Sequence, residues 1–209
     1  MLRAAGLLFL AAATAPAGAP PVTGLKPIVL HPGINRVPGF LAGGGTATIV
    51  QAWRGNGNAH GYTVWTVLGG PSEGSRVGLV GFETPGAEPV RDTIRDEPFD
   101  GERVLGAVQF ATGQFATGRL RGRPVTLVIT ADLNQAASGV LADHATATVR
   151  WYRLDHAADA FGRPTDDFLP IGSVTTTKRY CNAWLAMRDV AGIRLRGDFA
   201  GPNRVDGCF

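Results

Sequence analysis

The segment Trp53-Arg54-Gly55-Asn56-Gly57-Asn58-Ala59-His60-Gly61-Tyr62 holds the residue types best suited to a ligand. Two aromatics, a guanidinium, two amides and an imidazole fall in one short stretch. Aromatic faces stack on the apolar faces of sugars, while Asn and Arg donate to hydroxyls, so this chemistry fits a glycan. Trp53, Arg54, Asn56, Asn58, His60 and Tyr62 are the candidate binding residues. The same Gly and Asn residues also suit turn geometry, and Trp53 with Tyr62 also suits cross-strand packing.

The competing chemistry is hydrolysis, with His60 or His144 as base or metal ligand and Asp132 or Asp143 as partner. His31, His60, His144 and His156 show none of the H-x-H, H-x-x-x-H or H-E-x-x-H spacings of metal sites, so neither a metal nor a cofactor is expected. Gly70-Pro71-Ser72-Glu73-Gly74 places a serine in a Gly/Pro turn but lacks the G-x-S-x-G pattern. Asp96-Glu97 and Asp166-Asp167 are adjacent acids, whose side chains diverge in extended chain and cannot flank one glycosidic bond. No catalytic residue is therefore assigned. Arg119, Arg121 and Arg123 would share one side of an extended strand, as would Arg194 and Arg196, facing either the anionic groups of an envelope polymer or solvent.

These residues must be carried by strands. Residues 46–54 and 62–68 are rich in β-branched and aromatic types and read as a hairpin across the Gly/Asn loop. Residues 124–132 and 145–154 alternate with period two, the pattern of half-buried antiparallel strands. Further strands are expected at 76–83, 104–112, 115–120 and 173–180, with an extended lead-in or edge strand across 22–38 and a long surface loop over 84–103. One helix is expected at 182–190, capped by Asn182 and ended by Gly192, packing on the sheets with Trp184 buried. About eight closely spaced strands without βαβ alternation predict a mainly β fold, an antiparallel sandwich or jelly-roll-like arrangement with one short C-terminal helix.

Composition agrees with a folded chain. Hydrophobic residues make up 44% of 209, while Gly and Pro, at 29 and 14, stay below the level that signals disorder. The net charge of +3 is too small for a nucleic-acid binder.

Residues 1–19 read as a secretory signal peptide: Arg3 precedes a short apolar run, and small residues follow at Ala15, Ala17 and Ala19. Cleavage is expected after Ala17 or Ala19, leaving one β-rich domain over 20–209 without a transmembrane anchor. In an oxidising compartment Cys181 and Cys208 would pair, closing a C-terminal loop. The sequence thus predicts an exported protein, periplasmic or secreted, that binds or supports rather than catalyses, with a glycan or an envelope protein as partner.

Overall fold

The computed structural model describes residues 22–55, 62–71, 77–83, 91–95, 111–134, 144–157 and 164–194. In chain order these form β1 (Val22–Pro27), β2 (Gly33–Val37), β3 (Ala47–Arg54), β4 (Tyr62–Pro71), β5 (Val77–Leu79), β6 (Gly81–Phe82), β7 (Ile94–Arg95), β8 (Ala111–Leu120), β9 (Arg123–Leu133), β10 (Ala145–His156), β11 (Asp166–Tyr180) and the helix α1 (Ala183–Ala191). A single 3-10 turn, Ala42–Gly44, precedes β3. Sheet A runs β1-β8-β9-β10-β11-β6, and sheet B runs β2-β3-β4-β5 with β7 also on β4. Pairing is antiparallel except where β6 meets β11. The expected mainly β sandwich with one short helix is the fold observed.

β9 and β10 are buried on both faces, not on one as their alternation suggested. Their odd positions, among them Leu127, Ile129, Val149 and Trp151, pack under α1, while Val128 and Tyr152 meet Phe40, Ile49, Val67 and Phe82 from the sheet B side. Sheet A is therefore the middle of three layers. Thr126, buried among these, donates its hydroxyl to the Phe40 carbonyl at 2.8 Å, which satisfies it and ties the turn before β3 to sheet A.

The described strands change sheet four times, twice across short links. β1 and β2 lie on sheet A and sheet B, and the expected single strand at 76–83 divides at Val80. Val80 is buried between the layers, so β5 stays with sheet B while β6 crosses to sheet A. The expected surface loop over 84–103 is pinned in its described part: Ile94 is buried in the same core, and Arg91 bridges Phe82. β11 is longer than the expected 173–180. Pro170 lies inside it, next to the register shift opposite Trp151 and Tyr152, where a missing N–H is tolerated.

Two glycines shape the β1 edge. Gly24 adopts a positive φ of 63° where the β1–β8 register shifts. A Cβ on Gly118 would stand 2.6 Å from Val22 Cγ1, so only glycine lets β1 lie this close to β8.

α1 is built as its sequence predicts. The Asn182 side chain accepts from the Trp184 N–H at 2.8 Å, and Gly192, at φ 68°, donates to the Arg188 carbonyl. Ala183, Ala186 and Met187 face sheet A, whereas Trp184, expected to be buried, is only partly so. Cys181, just before the cap, is buried and is not a free thiol. Cys208 lies outside the described residues, as do residues 1–19.

An ionic contact joins α1 to β11. Lys178 Nζ donates to Asp189 Oδ2 at 2.7 Å, and the Tyr180 hydroxyl donates to the same oxygen at 3.3 Å. The Lys178 bond, with help from Arg188, holds the Asp189 carboxyl below its ordinary range, and Lys178 is raised in return. A depressed carboxylate stabilises the fold fully above its unfolded value of ~3.9 and loses that contribution as pH falls through the lower folded value. Asp189→Asn is therefore expected to lower Tm modestly at neutral pH, with the difference closing in acid. Thermal melts across pH read this directly, and a difference that persists in acid would assign the effect to packing instead.

Candidate functional site

The hairpin of β3 and β4 runs past the end of the core. Ala47 and Ile49 are buried toward sheet A, and Gln51 is partly buried with its side-chain oxygen accepting from Trp65 Nε1 at 3.1 Å. Trp53 follows on the same face, where the sandwich no longer covers it, and is 68% exposed. Its register partner is Thr63, while Arg54 stands opposite Tyr62. Trp53 and Tyr62 therefore do not pair, and alternation puts them on opposite faces of sheet B. Asn56, Asn58 and His60 lie outside the described residues.

Tyr62 is set between cations. The guanidinium carbons of Arg54 and Arg95 lie 5.7 and 5.8 Å from its ring centroid. Arg95 arrives from β7, opposite Val64, and sequence reading placed it in a surface loop. Each such contact is worth about 0.5–1 kcal/mol at an exposed site. Both guanidiniums thus meet on one ring. The hairpin end thus offers an open indole on one side and an arginine-flanked phenol on the other.

Of the residues of the hydrolytic alternative, Asp132 and His144 are described, and these two are not brought together. Asp132 pairs with Arg150 and stands opposite Thr148 in register. His144 is four positions before Thr148, about 13 Å along the strand at ~3.3 Å per residue. It is exposed, and its carbonyl accepts from Arg179 Nε at 2.8 Å. His156, at the far end of the same strand, shares its Nδ1 with Asp166 Oδ1 at 2.9 Å. The Asn35 side chain spans the His31 N–H and carbonyl at 2.9 and 2.8 Å, forming a local loop. Asp143 and His60 are outside the described residues. Among the described residues no group of three His, Cys, Asp or Glu could hold a metal ion.

The arginine row is also rearranged. Arg121, at φ 50°, and Gly122, at φ 81°, form the two-residue turn between β8 and β9, so Arg119, Arg121 and Arg123 wrap a hairpin tip rather than line a strand. Arg119 Nη1 donates to the Gly122 carbonyl at 2.9 Å. Of the second pair, Arg194 is exposed and Arg196 lies outside the described residues.

A polar stripe that the sequence reading did not single out crosses sheet A. Asn134 Nδ2 donates to Thr146 Oγ1, Thr148 Oγ1 donates to Asn134 Oδ1, and Thr148 and Thr175 share a hydroxyl contact, each at 3.1 Å. Beside it the Tyr152 phenol is pushed up by burial and by Asp132, against the opposing pull of Arg150 and a Thr130 hydrogen bond. That phenol stays protonated at neutral pH, and the stripe satisfies itself across three strands. The even-numbered polar residues of β9 and β10 were its visible signal.

No family model matches the chain, and no curated protein matches it. A solved structure described as "Crystal structure of CarG" is similar in fold, with a TM-score of 0.62 at 16% identity over 79% of this chain and 95% of that one. At that identity the likeness concerns the fold alone.

Proposed function

We propose that the chain is an exported β-sandwich protein of the cell envelope or extracellular space that works by binding, with a glycan held at the Trp53 end of the β3–β4 hairpin. The observation that carries this reading is the indole of Trp53, 68% exposed beyond the core and followed directly by the Gly/Asn-rich loop. An exposed indole face is a stacking platform for a sugar ring, and a rigid strand end positions it better than a free loop does. The position of β1 supports export: Val22 is already in the core, only a few residues after the expected cleavage at Ala17 or Ala19.

A glycan array probed with the mature chain tests the ligand class, and calorimetry on the best hit tests the site. Trp53→Ala is expected to weaken binding about tenfold or more, as loss of an aromatic anchor does. Silence across the array would end the glycan reading, and full binding by Trp53→Ala would move the site elsewhere. N-terminal sequencing of the exported protein should begin at residue 18 or 20. Recovery with residue 1 intact would remove the export claim.

A further inference from the structure

The Trp53 platform has a polar neighbour on its own face of β3. Gln51 comes two residues earlier, about 6.6 Å along the strand at ~3.3 Å per residue. It stands opposite Trp65, and its side-chain oxygen accepts from Trp65 Nε1 at 3.1 Å. An indole N–H can only donate, so the amide must turn its oxygen toward Trp65 and its NH2 away. Trp65 is buried, and a buried N–H holds on to its acceptor, which fixes the amide in that orientation. Among the described residues the NH2 meets no acceptor, and Gln51 is only half-buried, so its donors are open to a ligand.

The β2 side of this face is low. β2 begins at Gly33, opposite Gln51, and a Cβ on Gly33 would meet nothing within 4 Å. β2 therefore raises no side chain beside Gln51. At the other end of the platform the Trp53 Nε1 lies on the loop side, 4.0 Å from where a Cβ on Gly55 would stand. Two N–H donors thus bracket one aromatic face, with Thr63 on its β4 flank. The Gln51 donor is selective. A sugar hydroxyl bonded to it must still find an acceptor for its own O–H, whereas a carbonyl oxygen needs a donor alone. A carboxylate would need a positive charge that a neutral amide does not supply, and Arg54 is on the opposite face of the strand.

We propose that the ligand of this site is an N-acetylated amino sugar, its ring stacked on the Trp53 indole and its acetamido carbonyl accepting from Gln51 Nε2. The inference rests on the glycan reading of Trp53 and names the class of sugar. Gln51 selects that class by touching the ligand, and Trp65 positions Gln51. Neither was among the binding residues that the sequence singled out, because the pairing that orients the amide exists only once β3 and β4 are in register.

Chitotriose and cellotriose share one backbone and differ at C2, acetamido against hydroxyl, so calorimetry of the mature chain with this pair isolates the carbonyl. Wild type is expected to bind chitotriose about tenfold more tightly than cellotriose. Gln51→Glu keeps an oxygen for Trp65 Nε1 but removes the donor, and it should bring chitotriose down to the level of cellotriose. Gln51→Met, uncharged and of similar length, carries the same expectation, each variant being read once its circular dichroism matches wild type. Cellotriose should bind the variants as it binds wild type, since Trp53 is intact. Equal affinity of wild type for the two sugars, or a chitotriose preference that survives both substitutions, would overturn the role of Gln51 and leave the Trp53 glycan site standing. Binding of neither sugar would overturn the inference too, while the full array decides the glycan reading by itself.

Discussion

Trp151→Ala is expected to lower the unfolding free energy by about 3–5 kcal/mol, the range for emptying a large aromatic site in a packed core. Trp151 is fully buried on the face of β10 that α1 covers, in one cluster with Leu127, Ile129, Val149 and Met187. Its removal opens a cavity between two layers that neither can fill without moving. Trp151→Phe gives a contrasting expectation. The Nε1 of Trp151 is buried with no hydrogen-bond partner among the described residues. Such an N–H costs about 1–3 kcal/mol, so phenylalanine recovers part of what it loses in contact area. Urea denaturation of the three proteins should rank wild type near Phe and well above Ala. Equal losses for Phe and Ala would show that the N–H is not a burden, and a loss under ~1 kcal/mol for Ala would mean that α1 does not seal this face.

Changing both cysteines to alanine is expected to cost about 3–4 kcal/mol, the loop-closure value for a cross-link spanning about 28 residues. Cys181 sits at the point where β11 hands over to α1, next to the Asn182 cap, and Cys208 is the one other cysteine in the chain. A link there restrains the segment that carries Met187 and Ile193 into the core. Denaturation of the double variant measures the loss, and intact mass of the unreduced protein after alkylation measures the pairing itself. Uptake of two alkyl groups by the unreduced chain, or an unchanged midpoint, would refute it.

The parts of the fold legible in the sequence were those set by local rules. Period-two alternation located β9 and β10, and Asn182 and Gly192 bracketed α1 because cap chemistry is written in single residues. What escaped depended on partners far along the chain. The alternation of β9 does not say that its second face, at Val128, also meets a layer, because that layer is supplied by Phe40, Ile49 and Phe82. The run at 76–83 looks like one strand, since nothing local marks Val80 as a crossing. β11 starts well before the expected residue 173, because a register shift makes Pro170 tolerable inside the strand.

The candidate site shows the same limit. Residues 53 and 62 fall on opposite faces because the hairpin register sets Arg54, not Trp53, against Tyr62. Arg95 joins the ring of Tyr62 only through the short pairing of β7 with β4. Arg121 occupies a left-handed turn position usually given to Asn or Gly, so the hairpin it makes with Gly122 was hidden among arginines.

The partnership of β1 with β8 has a consequence in time. Val22 pairs with Leu120, and a Cβ at Gly118 would crowd Val22 and Leu25, so the first strand finds its place only against a strand made much later. Roughly a hundred residues separate the two, which at ~5–20 residues per second is ~5–20 s of synthesis. Through that interval β1 emerges with no neighbour to complete it, and the sheet cannot close behind the growing chain. The earliest strand of the folded protein is thus fixed only after β8 has been made, with β9, β10 and β11 of the same sheet still to follow.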